Sequence, residues 1–256
     1  MKFATHGTRI LVAFYSAIAL LAWPAFTPAR TAGDSAQPAD FHCSGCISRT
    51  IDLGPQAKGV SAELRVPRSV PLDFSDIHLK RLPNGGIQGS GYLVRNDSRS
   101  GLVCLIISWQ THVDNPRALP ASGTDSISSW ETGHAFLAPG ADLNVQYSWT
   151  ILPSKGHAVR RVTGVVAYAE FDDGTRLGPG VATFFPALCA RREKLLNDYH
   201  TLLDMIHAGR PDTELEAFVQ TTRGLEWAGN IRASKGWNGV AAEISRRLHP
   251  IGQQDR

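Results

Sequence analysis

From Leu143 to Ile151 the chain alternates strictly. Leu143, Val145, Tyr147, Trp149 and Ile151 are apolar, and the residues between them are polar. A period of two predicts a strand with one face buried and the other in water. The segment Val103–Trp109 follows the same rule, with Val103, Leu105, Ile107 and Trp109 on one face. Further strands are predicted over 61–66, 72–79, 87–95, 130–137 and 159–171. Turn-forming runs separate them: Pro83-Asn84-Gly85-Gly86, Asn96-Asp97-Ser98, Ala138-Pro139-Gly140 and Asp172-Asp173-Gly174. The last predicts a tight hairpin between Tyr168–Phe171 and Thr175–Leu177, because Asp-Gly accepts positive φ. About seven short strands at this spacing make an antiparallel two-sheet sandwich the expected architecture of residues 61–185.

Past Pro186 the period lengthens. Leu195, Tyr199, Leu202 and Ile206, flanked by Leu196 and Leu203, form the stripe of an amphipathic helix of about six turns, closed by Gly209 at a C′ position. A second helix is expected from Pro211, with Thr213 and Glu216 as a capping box and Leu215, Phe218 and Val219 as its apolar face. A weaker third covers 238–248, carrying Val240, Ala241, Ile244 and Leu248. The fold class is therefore α+β, a β-sandwich followed by a C-terminal helical segment over 186–256.

Two stretches carry a resemblance. One runs Gly91-Tyr92-Leu93-Val94-Arg95-Asn96-Asp97 and then Leu102 to Trp109; the other is the strand and hairpin from Val162 to Thr175. Together they resemble immunoglobulin-like β-sandwich modules of exported bacterial proteins, over roughly 61–180. The resemblance implies an Ig-like sandwich and brings no active-site residue with it. The antibody-type pattern is not met, since Cys104 and Trp109 share one strand and Cys189 lies past the sheet.

The first 29 residues read as a secretory signal peptide. Lys2 and Arg9 precede an apolar stretch from Ile10 to Phe26, and Thr27-Pro28-Ala29 offers small residues for cleavage. An uncleaved membrane anchor is the rival reading, at the short end of the length that spans a bilayer. A lipid anchor on Cys43 is disfavoured, because Asp40-Phe41-His42 precede it far beyond the apolar core. The expected location is extracytoplasmic, periplasmic or secreted, with no membrane span after cleavage. Residues 30–60 lack periodicity and read as a linker or loosely docked arm.

Cys43, Cys46, Cys104 and Cys189 all follow the signal. An even count in an exported chain favours disulfides. Cys43 and Cys46 are close enough to close on each other, leaving Cys104 and Cys189 for a long-range bridge; crossed pairing is the alternative. A CxxC pair also suits thioredoxin-type redox chemistry, but that needs a helix after it. Zinc needs a second close ligand pair, and haem attachment needs His where Ile47 stands. A structural disulfide is the simplest reading.

Composition narrows the function without naming it. The 256 residues are 43% hydrophobic and 19% charged, with a formal charge of +3 that gives no case for nucleic-acid binding. Lys2 and Arg9 account for two of those charges, so the cleaved chain is nearly neutral. Nucleophile elbow, zincin, Walker and dinucleotide motifs are absent. His200, Asp204 and His207 fall on one helix face and read either as metal ligands or as an ordinary polar face, which is the commoner use of such a stripe. His112, Asp114 and His134 are candidates to converge with Asp125 or Glu131. Trp130, Trp149, Trp227 and Trp237 offer a binding surface, or simply packing. Arg160-Arg161 and Arg246-Arg247 read as solvated charge. The expectation is an exported, non-catalytic β-sandwich contacting a protein or envelope partner, with no cofactor or metal. The alternatives are an extracytoplasmic enzyme with a His/Asp/Glu cleft, or a thiol-redox protein using Cys43 and Cys46.

Overall fold

The computed structural model describes residues 41–248, apart from 42, 44, 54–56, 115–120, 130–133 and 153–156. The predicted signal at 1–29 lies outside the described residues. In chain order the elements are β1 (Cys46–Thr50), β2 (Ser61–Pro67), β3 (Leu72–Arg81), β4 (Ile87–Asn96), β5 (Leu102–Val113), β6 (Ala121–Ser128), β7 (Asp142–Ile151), β8 (Val159–Phe171) and β9 (Arg176–Leu177). Three helices follow: α1 (Val181–His207), α2 (Asp212–Thr221) and α3 (Glu226–Leu248).

The strands form two sheets. One has the order β1-β2-β8-β5-β6, with β9 paired to β8; the other has the order β3-β4-β7. Their inner faces share a core: Leu64, Ile107, Trp109 and Val166 from the first meet Phe74, Tyr92, Val94 and Val145 from the second. All neighbours are antiparallel except β2 and β8, which run parallel, so the wholly antiparallel expectation needs that correction. Trp109 shows how the core closes. Its cross-strand neighbours are glycines on both sides, Gly123 and Gly164. A β-carbon at Gly164 would lie 2.5 Å from the indole. The ring fills the space that the missing side chain of Gly164 leaves, while Ile151 occupies the place beside Gly123.

The turns form as their residues dictate. Gly85 and Gly174 take positive φ in the β3–β4 and β8–β9 turns. Asn96, fully buried, organises the β4–β5 turn. Its Nδ2 donates to the carbonyls of Ser100 (2.9 Å) and Leu137 (3.1 Å), while its Oδ1 accepts from the Ser98 N–H (3.0 Å).

β8 contains a bulge that positions the helices. Ile106 pairs with Tyr168 but Ile107 pairs with Val166, so Ala167 is an extra residue. Before it the even-numbered residues Val162 and Val166 face the core; after it the odd-numbered Ala169 and Phe171 do. The Ala167 carbonyl accepts the Gly180 N–H at 2.8 Å, just ahead of α1. A β-carbon on Gly178 would sit 2.4 Å from that carbonyl oxygen, so the approach needs glycine.

Several boundaries differ from expectation. The arm at 30–60 contains β1, an edge strand whose residues are mostly exposed and therefore show no apolar alternation. No strand covers the described part of 130–137; Leu137 makes one isolated bridge to Leu102. The strand that pairs there is β6, earlier in the chain, with Ile127 its one large apolar residue. α1 begins at Val181 and continues through Pro186, so the domain boundary expected at 185/186 falls inside a helix. Its C-terminus is as expected: Gly209 (φ 64°) closes a Schellman motif, Arg210 N–H to Met205 O at 3.1 Å and Gly209 N–H to Ile206 O at 3.0 Å. The Thr213/Glu216 capping box does not form, because Pro211 takes the N-cap place and puts Thr213 inside the first turn. α3 starts twelve residues before the predicted 238. Its glycines masked the first half, and Gly236 breaks the helical geometry within it. α1, α2 and α3 pack through Leu195, Tyr199, Leu202, Leu215, Val240 and Ile244.

Candidate functional site

The outer face of the larger sheet has two unlike halves. Towards the C-terminal end of β8, α1 covers it. Cys104, Ile106, Tyr168 and Leu188 form a small apolar cluster with Phe184 and Phe185 against them. Glu170 is buried there (4% exposed) and is clamped by Arg192 of α1 through both guanidinium nitrogens, one at 2.8 Å. The Tyr168 hydroxyl donates to Glu170 at 2.9 Å, and Arg176 Nε approaches it at 3.3 Å. Burial opposes ionisation of Glu170, but Arg192, the Tyr168 hydroxyl and Arg176 together outweigh it and hold the carboxyl below its ordinary range. The clamp fixes α1 to β8.

The other half is uncovered by any described helix, and it is polar. Cross-strand pairing lays out three rungs: Arg65, Val165 and Ser108; Glu63, Thr163 and Gln110; then Arg161 and His112. Between them lies a depression of about 200 Å³. Phe41 borders it at the helix side, its ring 5.6 Å from that of Phe184. Beside it, Glu63 Oε1 accepts from Arg65 Nη2 (2.7 Å), Arg65 Nε (3.1 Å) and Arg161 Nη2. Partial burial raises the Glu63 pKa, but the two guanidiniums more than reverse this, so the carboxyl is held below its ordinary range.

The sequence-predicted residues are scattered. His200, Asp204 and His207 are all exposed on α1, and no group of three or more His, Cys, Asp or Glu among the described residues is placed to hold a metal. His112 lines the depression, whereas Asp114 faces His157 and Arg160, each at 3.8 Å. His134 lies against Arg246 of α3, its Nε2 3.1 Å from Nη1. Asp125 points the other way, into the space between the sheets. Glu131 and Trp130 lie outside the described residues, and the Trp149 side chain does too.

Cys43 and Cys46 are joined, with Cα atoms 5.7 Å apart. Cys46 opens the edge strand β1, so no helix follows the pair. The expected Cys104–Cys189 bridge is not formed: both are free thiols, Cys104 buried on β5 and Cys189 half-buried on α1. Burial, with the Glu170 charge nearby, pushes the Cys104 thiol up to about 12. Trp227 and Trp237 are packing residues of α3. Arg247 lies over the Trp227 ring at 4.1 Å, and Trp237 Nε1 donates to Asp212 at 3.1 Å. Arg246 and Arg247 hold Glu243 and are not simply solvated.

Sequence reasoning missed the rungs of the open face and took Arg161 for solvated charge. The available signal was the run of polar alternates, Ser108-x-Gln110-x-His112 on β5 and Arg161-x-Thr163 on β8, opposite core-facing residues. Its meaning depends on β2, which lies about a hundred residues away in sequence. No protein-family model, curated protein or solved structure matches the chain.

Proposed function

We propose that the chain is an exported, non-catalytic module with an immunoglobulin-like sandwich that contacts a protein or envelope partner through the open half of its larger sheet. One observation carries this reading. α1 shields half of that outer face with an apolar cluster and a buried ion pair, yet the adjoining half keeps ordered arginine, glutamine and threonine side chains around a depression. Polar groups on a rigid strand lattice are pre-oriented, which lowers the entropy lost on binding. The dispersed histidines give a catalytic cleft no support. The paired Cys43–Cys46 fits an oxidising compartment.

The test places a photo-crosslinking residue at Ser122, exposed on the outer face of β6, and a control at Lys80 on the opposite sheet. The protein is expressed in full and crosslinked in its own envelope. A discrete adduct from position 122, absent from position 80, is the expected result. Equal labelling from both, or none from 122, removes the reading. N-terminal sequencing of the same material checks for cleavage after Ala29.

A further inference from the structure

The depression on the open face has a definite chemical bias. Arg65 and Arg161 reach it from neighbouring strands, and the carboxylate beside them, Glu63, receives both guanidiniums on one oxygen, Oε1. Among the described residues, no acidic side chain lines the depression itself. Arg65, Arg161 and Glu63 together leave an excess of one positive charge wherever Glu63 is ionised, to which His112 adds only when protonated. Ser108, Gln110 and Thr163 add neutral donors and acceptors across the floor, and Phe41 supplies an apolar wall.

We propose that this depression binds a small polar acid, its carboxylate on Arg161 and Arg65 and its amide or hydroxyl groups on Gln110, Ser108 and Thr163. The inference rests on the binding reading above and names the ligand class for the same face. Guanidinium pairs with carboxylate in planar, two-point geometry. Arg161 commits only Nη2 to Glu63 among the described residues, so the rest of its fork is available. A single excess charge matches a carboxylate monoanion better than a phosphate dianion. The volume of about 200 Å³ corresponds to about seven waters at ~30 Å³ each, the size of an acylated amino acid rather than a polymer.

The experiment is an amide ¹⁵N–¹H titration of the full mature chain with N-acetylalanine, with neutral N-acetylalanine methylamide and inorganic phosphate as comparison probes. N-acetylalanine should give saturable shifts at Ser108, Gln110 and Thr163, with the methylamide at least tenfold weaker. Arg161→Gln should weaken the acid at least tenfold with spectral dispersion intact, and Glu63→Gln should tighten it about threefold. Equal binding of acid and methylamide, tighter binding of phosphate, or an unchanged affinity in Arg161→Gln overturns the proposal. So does an absence of saturable shifts. Crosslinking from Ser122 reports separately: if it survives while the titration fails, the partner reading stands and only the ligand class falls.

Discussion

Asp125 sits on the inner face of β6, an edge strand, and is only 9% exposed. Its Oδ2 has no hydrogen-bond partner among the described residues. Burial pushes its pKa up to about 7, against the pull of a hydrogen bond from the Tyr92 hydroxyl. In the unfolded chain an aspartate titrates near 3.9. The folded state therefore prefers the protonated form. Its contribution is fully present below about pH 4, declines as the pH rises towards 7, and is level above that. A raise of about three units corresponds to roughly 4 kcal/mol in total, an upper figure. Between pH 5 and pH 8 the two-pKa linkage gives a loss of about 2.5 kcal/mol. Asp125→Asn keeps the shape and removes the titration. Its buried amide adds an offset that does not depend on pH in this range. Urea unfolding of both proteins, followed by tryptophan fluorescence, should show the wild-type midpoint falling by about 1 M relative to the variant from pH 5 to pH 8, for a slope of roughly 2–3 kcal/mol/M. A wild-type-minus-variant difference that stays flat across that range refutes the reasoning, because a buried carboxylate with a vacant oxygen cannot ionise at no cost.

Arg192→Ala strands the buried Glu170 carboxylate and should cost about 3–5 kcal/mol, with amide exchange accelerating first in the N-terminal turns of α1; the double variant Arg192→Met/Glu170→Gln should recover most of that loss. Because Glu170 is held below its ordinary range, the wild-type clamp persists at neutral pH and is lost only as the pH falls through the lowered value. Gly164→Ala drives a methyl into the Trp109 indole and should destabilise by about 1–3 kcal/mol or more, read from the urea midpoint. Native protein treated with iodoacetamide at pH 8 should leave Cys104 unmodified, whereas the denatured chain should label at both Cys104 and Cys189 by mass spectrometry.

What was legible in the sequence was whatever hydrophobic contrast writes down. β7 reads clearly because one face meets the core and the other meets water, so apolar and polar residues alternate. The β8–β9 hairpin and the end of α1 read clearly because positive φ demands Gly174 and Gly209. β6 does not read at all. Its inner face is Ala121, Gly123, Asp125 and Ile127, where Gly123 leaves its place to Ile151 and Asp125 brings a carboxyl inside. β1 is silent because an edge strand with exposed faces has no contrast to show. The first half of α3 was hidden by glycines of low helix propensity, which packing on Tyr199 through Trp227 overrides. The open face was the least legible part. Its rungs join residues from β2, β5 and β8, and only the parallel pairing of β2 with β8 sets Arg65 beside Val165.

The extra residue at Ala167 makes β8 a strand with two parities. Counting inward-facing positions from Val162 gives the wrong side for everything after the bulge. Regular pairing through Ala167, with the bulge ironed out, would carry Tyr168 and Glu170 into the apolar interior and turn Phe171 out to water. It would also move the carbonyl that receives Gly180. That one backbone irregularity keeps Ala169 and Phe171 in the core and sets where α1 attaches. The polar open face and the apolar covered face meet where that one strand changes phase.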